Sequence, residues 1–514
     1  MKLGILDISI FLIFFAVVLF TSMYKSRKEK TGEDYFLAGR KLIWPLIGLS
    51  FIAANISTEH FVGMSGQGAG IAGLAVASYE WMAAITMVIV AFFFLPKFLR
   101  CGIYTIPEFL EYRYNSTARG IMAFYTMVIY VGVTIAAVLY SGGLALKTIF
   151  DLNLTSSILA IGAIAALYTI WGGLKAVAWA DLFLGSALII GGAVVMIFGF
   201  KAVGGVPEFF QTNADKLHMI LPKDHSVLPW TALVIGLWIP NFYYWGLNQF
   251  ITQRSLAAKS LKQGQLGVIF AAALKLTIPF IIVMPGIMAY QLYKDQMIGP
   301  GGTTDAAYPL LIRNLIPEGI RGFMFAAIAG AVISSLASML NSASTIFTMD
   351  LYKRYWKKDA SPHSIVTTGR VTTLIFVVIG CIIAPSLGTP IFKGIFNYIQ
   401  EFQGYISPGI LAAFVFGLIF KRAPALAGIA ALILNVPIYG FLHWQFSEVA
   451  FLNRMAITFC LIILIMALIT LYRPLKKPIE MPVRESFDMK PSKVVKWLGL
   501  AVIVVTVILY IIFW

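Results

Sequence analysis

Charged residues are scarce in this 514-residue chain: only 12% are Asp, Glu, Lys or Arg, whereas 59% are hydrophobic. Soluble domains carry about a quarter charged residues, so this balance excludes an ordinary soluble fold. Cysteine is also scarce, and Cys101, Cys381 and Cys460 are scattered. Their spacing fits neither a disulfide framework nor a zinc site. The sequence also lacks a nucleophile elbow and a phosphate-binding loop, which makes an enzyme the weakest alternative.

Long hydrophobic runs make up most of the chain. A run of about 20 apolar residues can cross a hydrocarbon core of about 30 Å as a helix. The first run lacks a small-residue cleavage pattern and precedes a basic loop, so we expect a membrane span rather than a signal peptide. The sequence predicts an all-α integral membrane protein with about fourteen transmembrane helices, at 5–24, 43–66, 74–98, 120–148, 156–174, 179–203, 229–252, 265–292, 320–349, 366–385, 394–419, 424–443, 449–472 and 495–514.

Basic residues concentrate in alternate loops. With both termini outside, the cytoplasmic loops hold most of the Lys and Arg, including Lys25, Arg100, Arg254 and Lys353. The positive-inside rule therefore predicts a multi-pass protein of the plasma or inner membrane, with extracellular or periplasmic termini. This distribution is not a nucleic-acid footprint. The lipid bilayer is the expected environment, and no nucleic acid or obligate protein partner is implied.

A polar stretch interrupts the second span. Residues 53–60 (AANISTEH) lie inside the apolar segment 43–66. Irregular polar sequence at membrane depth is tolerated only where it lines a protected cavity. Carriers use such a break to present carbonyls to a cation and side chains to a solute. The structural alternative is a polar helix end near the headgroups, but apolar sequence on both sides favours a break.

A second break lies in the seventh span, at residues 238–246 (WIPNFYYWG). Pro240 removes a backbone donor and leaves carbonyls without partners. Asn241 supplies an amide, while Tyr244 and Trp245 offer flat apolar faces with polar edges, a combination that suits a sugar ring. Aromatic residues also form belts at membrane surfaces, which is the alternative.

The two breaks are five spans apart, which predicts an inverted repeat of two five-helix units with the site between them. We therefore expect an extra N-terminal helix with the start of the first cytoplasmic loop at 1–30. The remaining divisions are a first five-helix repeat at 31–203, a second at 204–420, and three C-terminal helices at 421–514.

Ionisable residues inside apolar segments include Glu80, Asp181 and Lys275. An ammonium such as that of Lys275 costs about 2.5 to 3.5 kcal/mol in the middle of a membrane unless it is paired or hydrated. Such residues usually mark functional sites. The alternative is an ion pair that only docks two helices, and for Asp181, near the cytoplasmic end of its span, both interpretations stay open.

A polar face is predicted in the segment 320–349, where residues at spacings of three and four share one side of a helix: Ser334, Ser338, Asn341 and Ser342. Small hydroxyl residues at this spacing usually allow close helix packing. The alternative is that Ser334 and Ser335 provide oxygen ligands for Na+, together with carbonyls freed at Ala53 and Ile56. Further on, residues 397–404 (NYIQEFQG) suggest either a bent helix contributing Gln400 or a loop.

These features together resemble the sodium/solute symporter family, and specifically its sodium/glucose and sodium/galactose branch near the bacterial members. The resemblance extends from about residue 33 to residue 420. It is carried by the runs 33–39 (EDYFLAG), 78–81 (SYEW), 103–109 (IYTIPEF), 253–260 (QRSLAAKS) and 334–350.

The resemblance implies a set of sites in this chain. The implied sugar ligands are Glu80, Asn241, Lys275 and Gln400, supported by Asn55 and Ser57, with His60 beside the sugar. The implied inner gate is Tyr244 backed by Trp245, and the implied outer gate comprises Met64, Tyr79 and Phe396. The implied sodium ligands are the carbonyls of Ala53, Ile56 and Ala331 and the hydroxyls of Ser334 and Ser335, with Asp181 on the sodium exit route.

Two positions depart from the bacterial members of the branch. His60 stands where bacterial galactose carriers have glutamine, although animal glucose carriers have histidine there. Ala83 replaces a serine that assists sugar binding. Both positions lie near the implied sugar site, so they leave the choice of hexose open.

The predicted function is a sodium-driven symporter that imports a hexose, glucose or galactose, by alternating access. Na+ is the expected coupling ion, without an organic cofactor. Alternatives are a sodium symporter for myo-inositol, sialic acid or proline, a passive uniporter, and a sugar sensor that binds without transporting.

Overall fold

The computed structural model describes residues 4–26, 31–57, 59–150, 152–298, 303–388, 395–485 and 487–514. Over these ranges the chain is helical, and its one β-type pairing is an isolated bridge between Leu42 and Ala258. The all-α prediction is confirmed. Within the same ranges the α-helices are α1 (Ile5–Lys25), α2 (Gly32–Leu37), α3 (Trp44–Asn55), α4 (Ser65–Ala69), α5 (Ser78–Ile89), α6 (Leu95–Cys101), α7 (Ile106–Arg113), α8 (Ser116–Ile129), α9 (Ile135–Phe150), α10 (Leu154–Ala202), α11 (Val206–Thr212), α12 (Trp238–Phe242), α13 (Gln249–Leu256), α14 (Leu261–Ile298), α15 (Ala307–Leu315), α16 (Ile320–Ile346), α17 (Pro362–Ile383), α18 (Ile395–Gly404), α19 (Ser407–Ile419), α20 (Ala425–Gln445), α21 (Phe451–Tyr472) and α22 (Lys493–Ile512).

Eleven helices in the described part of the chain are long and apolar enough to cross a membrane. The predicted spans 43–66, 156–174 and 229–252 are not among them. The first and third are divided into short helices at the predicted breaks. The second contains the short apolar helix Leu154–Leu167, which precedes a kink at Gly173 with φ 52°. A helix interrupted inside the membrane is shorter than a full span, so the count of about fourteen is not confirmed.

Several helices contain stretches of π-type hydrogen bonding, which insert an extra residue and recur at functional sites. Two of these stretches, Glu59–Met64 and Tyr243–Leu247, lie at the predicted breaks. At each break, non-helical backbone therefore adjoins a π-helical stretch. Both features free backbone groups at membrane depth.

Full-length helices surround the broken ones. α14 packs on α3, α4 and α5, and α10 packs on α3, α14 and α16. α1 lies against α10 and α16, whereas α20 and α21 pack on each other and on α19. α22 returns to α5 and α14. Of the three C-terminal helices, α20 and α21 therefore share one neighbour, α19, whereas α22 packs on a different part of the molecule.

Three of the sequence runs that carry the family resemblance meet at Arg40. Its Nη1 atom donates to the carbonyl of Leu256 at 3.1 Å, and Nη2 donates to the carbonyls of Gly102 at 2.8 Å and Ile103 at 2.9 Å. The turn before Arg40 requires a glycine, because Gly39 has φ 62° and a Cβ there would lie 2.9 Å from Asp34 Oδ1. One arginine thus joins the turn before α3 and the loop before α7 to the end of α13.

Candidate functional site

The first break separates α3 from α4. Helix α3 ends at Asn55, and Ile56 has extended dihedral angles of φ −76° and ψ 101°. Ser57 caps the helical segment that follows the break. Its carbonyl accepts from the His60 amide at 3.0 Å, and its Oγ accepts from the Glu59 amide at 3.2 Å. The last carbonyls of α3 lose their helical donors at this point, as the predicted break requires.

Lys275 is completely buried on α14 and lies among side chains from three other segments. Its Nζ atom donates to the Glu80 carboxylate and to Asn55 Oδ1. The same atom lies 4.7 Å from the centre of the Trp245 ring. His60 approaches the carboxylate from another side, with Nε2 3.4 Å from Glu80 Oε1. These partners offset the cost of an ammonium inside the membrane.

The second break lies between α12 and α13. Tyr243–Leu247 is π-helical, and Asn248 is extended, with φ −84° and ψ 120°. Tyr244 links the two breaks, because its Oη accepts from Asn55 Nδ2 at 2.9 Å. The Tyr244 ring packs edge-on against Trp245, with centroids 5.0 Å apart. The aromatic pair predicted as an inner gate therefore contacts the side chain at the end of α3.

A cavity of about 60 Å³ lies between the two breaks. Lys275 does not line the cavity, but it contacts residues that do. The Ser57 side chain accepts a hydrogen bond from the backbone of the break. The side chain of Phe396, predicted in the outer gate, lies outside the described residues. The cavity is lined by Asn55, Glu59, His60, Met64, Tyr79, Glu80, Pro240, Asn241, Tyr244, Trp245, Gln400 and Gln403.

Three polar atoms in the cavity wall are buried without a hydrogen-bond partner in the part of the protein that the structure describes: Asn241 Nδ2, Gln400 Oε1 and His60 Nδ1. An unpaired buried polar group costs about 1 to 3 kcal/mol. Folded proteins keep few such groups, and each calls for an explanation such as a ligand. Here a donor, an acceptor and an imidazole nitrogen share one cavity.

Two of the predicted sodium ligands, Ser335 and Ala53, approach each other where α16 passes the end of α3. Ser335 Oγ donates to the carbonyl of Ala54 at 3.0 Å and lies 3.4 Å from that of Ala53. Ala331 precedes Ser335 by one helical turn and shares its face. Both Ala331 and Ile56 are completely buried. The cluster supplies hydroxyl and carbonyl oxygens, and it includes the carbonyl of Ala54, which the sequence does not single out.

Asp181 adjoins this cluster. It accepts hydrogen bonds from Ser334 Oγ and Ser50 Oγ, and Arg254 Nη2 lies 3.1 Å from its Oδ2 atom. Arg254 also donates to Ser338 Oγ. Arg254, predicted among the basic residues of the cytoplasmic loops, lies on α13 with its side chain completely buried. Its charge compensates a carboxylate that would otherwise be isolated in a low dielectric.

Sequence reasoning missed three functional candidates: Glu59, Gln403 and Arg254. Glu59 is an ionisable residue inside the first break, and Gln403 follows Gln400 at a spacing that shares a helix face. Both signals were available in the sequence. The sequence indicates the burial of Arg254 only indirectly. Asp181, inside a span, requires a cationic partner, but the sequence does not identify which Lys or Arg that partner is.

Comparisons with known proteins agree with this architecture. The family model described as the sodium:solute symporter family matches residues 35–434. A sodium/glucose cotransporter of Vibrio parahaemolyticus is 42% identical over 496 residues, covering 91% of each chain. A sodium/myo-inositol cotransporter 2 of Sus scrofa is 34% identical over 463 residues, covering 84% of this chain and 68% of the relative.

The fold also matches a solved structure, that of a Na+-coupled sialic acid symporter in a substrate-bound, outward-open state. The TM-score is 0.83 at 23% identity, and the match covers 93% of this chain and 100% of the other. The resemblance read from the sequence is therefore confirmed, with Na+ as the coupling ion. This chain belongs to the sodium:solute symporter family, and it is a multi-pass membrane transporter rather than an enzyme.

Proposed function

We propose that this protein imports a hexose, glucose or galactose, driven by Na+ and by alternating access. The observation that carries the proposal is the cavity wall. It combines unpartnered polar atoms of His60, Asn241 and Gln400 with the Glu80 carboxylate. Lys275 pairs with that carboxylate from behind the wall. A solute with several hydroxyl groups can donate and accept, and so can satisfy all of these groups at once.

The chemistry of the wall fits a sugar ring in detail. The Glu80 carboxylate and Gln400 Oε1 accept hydrogen bonds, whereas Lys275 Nζ and Asn241 Nδ2 donate them. Trp245 supplies an apolar face for the C–H side of a ring. Because Lys275 and Glu80 contact each other directly, hydroxyl groups must compete with or extend that pairing when the sugar binds.

A polyol such as myo-inositol is the second candidate. It has hydroxyl groups at similar spacing, and the Sus scrofa relative is a sodium/myo-inositol cotransporter. The Vibrio parahaemolyticus relative, which is a sodium/glucose cotransporter at higher identity, favours a hexose.

The proposed sodium site uses the carbonyls of Ala53, Ile56 and Ala331 and the hydroxyls of Ser334 and Ser335. Broken helices in carriers coordinate Na+ through such carbonyls. Ala53 and Asn55 stand two residues apart at the end of α3, one facing Ser335 and the other facing Lys275. Sodium that fixes this segment therefore also fixes part of the sugar cavity. By linkage, sugar must raise Na+ affinity by the same factor.

Gates, exit route and topology complete the proposal. Met64, Tyr79 and Phe396 would close the outer side, and Tyr244 backed by Trp245 would close the inner side. Asp181 would receive Na+ on its way to the cytoplasm. Both termini would lie outside, and the repeats would occupy 31–203 and 204–420, flanked by 1–30 and 421–514. Basic residues in alternate loops and the two broken segments support this arrangement.

Equilibrium binding of radiolabelled galactose and glucose to the purified protein, in Na+ and in K+, tests the proposal. We expect binding in Na+ that unlabelled hexose displaces. Asn241→Ala should weaken it, whereas Asn213→Ala, a loop variant away from the cavity, should not. Stronger displacement by myo-inositol would favour the polyol, and displacement only by sialic acid or proline would overturn the sugar assignment.

A further inference from the structure

The bent helix formed by α18 and α19 carries two residues of the cavity wall, Gln400 and Gln403. Between them, Glu401 makes its contacts elsewhere, with α20 and α21. Arg454 Nη2 donates to both carboxylate oxygens of Glu401, at 2.9 Å each. Tyr439 Oη donates to Oε1 at 2.8 Å. The helix that presents Gln400 to the cavity is therefore held from behind by a charged pair.

A second set of contacts holds the break between α18 and α19. Asn435 on α20 accepts from the Gly409 amide at 2.8 Å and donates to the carbonyl of Gly404 at 3.3 Å. The ring of Tyr439 packs so closely that a Cβ on Gly404 would lie 2.2 Å from its Cζ atom. Helix α20 thus satisfies backbone groups that the bend leaves without helical partners.

The first set of contacts holds α18, and the second holds the end of α18 and the start of α19. Arg454 has only 6% of its side chain exposed, and Glu401 has 24%, so this pair is partly shielded from solvent. Charge-assisted hydrogen bonds with two-atom contact fix direction as well as distance. The orientation of α18 relative to α19 therefore depends on α20 and α21, which lie outside both predicted repeats.

We propose that Glu401 is a positioning residue of the sugar cavity: held by Arg454 and Tyr439, it sets the orientation of α18 and so the places of Gln400 and Gln403. The α20–α21 hairpin then takes part in sugar recognition, although it does not line the cavity. The use of hexose as the probe rests on the proposed function.

The test compares Glu401→Gln with Glu448→Gln, which changes an exposed carboxylate on the loop between α20 and α21. Hexose uptake into proteoliposomes gives the sugar KM, and Na+ binding without sugar gives the Na+ affinity. We expect Glu401→Gln to raise the sugar KM about tenfold with little change in Na+ affinity, since the carboxylate charge that contacts Arg454, and His443 Nδ1 at 2.7 Å, is lost. Glu448→Gln should match the wild type. The exchanged pair Glu401→Arg with Arg454→Glu should recover most of the lost affinity.

Hydrogen exchange of the amides 399–406 supplies a readout that does not depend on sugar. We expect faster exchange there in Glu401→Gln, with no change in α14. An unchanged sugar KM in Glu401→Gln overturns the inference, as does unchanged exchange. If the wild type moves no hexose, the proposed function fails. The same KM comparison, made with the solute that the protein does transport, then tests the positioning role of Glu401.

Discussion

Arg254 and Asp181 form an ion pair in the protein interior, with Nη2 3.1 Å from Oδ2 and both side chains almost completely buried. The pair joins α13 to α10, and Asp181 in turn accepts from Ser334 of the proposed sodium site. A buried pair adds little net stability compared with apolar packing, but removing one member leaves an uncompensated charge. The helices around the proposed sodium site are therefore joined by two buried charges, each of which is unfavourable without the other.

Arg254→Gln should destabilise the protein by about 3 to 5 kcal/mol, because it leaves Asp181 buried without its cation. Thermal unfolding of the purified protein and its abundance in the membrane measure this. Arg422→Gln, which changes an exposed arginine, is the matched control. The double variant with Asp181→Asn should lose less than the two single variants together. Additive losses would show that the pair does not act as a unit.

Lys275→Met should remove sugar binding and lower the amount of folded protein, since Glu80 is then buried without its cation. Adding Glu80→Gln should restore much of the folded protein while sugar binding stays absent. Binding of labelled hexose, normalised to monodisperse protein, separates the two effects. Sugar binding at wild-type affinity in the double variant would exclude this pair from the site.

Ser335→Ala should raise the Na+ concentration for half-maximal binding about tenfold, as expected for one lost polar contact to a cation. Ser344→Ala is the matched control on the same helix, because its hydroxyl donates within that helix, to the carbonyl of Asn341 at 2.9 Å. Na+ titrations of both variants provide the measurement. Equal Na+ affinities in the two would place the sodium site elsewhere.

Asp305, in the loop between α14 and α15, should make stability depend on pH. Burial raises the pKa of its carboxyl from 3.8 to about 6. Because the folded pKa lies above the unfolded one, its contribution to stability is full below about pH 3.8 and is lost as the pH rises through about 6. Asp305→Asn should therefore stabilise the protein at neutral pH and change little near pH 4. Thermal unfolding at both pH values, with the exposed Asp295→Asn as control, tests this; equal shifts at both would contradict it.

Both breaks were predictable because polar residues or proline inside an apolar run violate the requirements of a membrane helix. The same reasoning singled out Lys275 and Glu80, since an isolated charge there needs a partner. The geometry that joins them was not predictable. Asn55 and Lys275 are 220 positions apart, and no local pattern pairs them.

The remaining differences have related physical causes. The number of spans could not be predicted from the sequence, because each part of a broken helix is shorter than a full membrane span. Arg254 follows a span and resembles a loop cation, and only the folded arrangement places it beside Asp181. The contacts of Glu401 with Arg454 likewise depend on the packing of α18 against α21, and no sequence pattern indicates that these helices are neighbours.

Uptake of radiolabelled glucose and galactose into proteoliposomes, with an inward Na+ gradient or with K+ in its place, tests the central claim most directly. We expect accumulation above equilibrium only with the Na+ gradient, and its loss in both Lys275→Ala and Ser335→Ala. Equal uptake in K+ would contradict sodium coupling. If neither sugar moved under any gradient, the hexose assignment would be wrong.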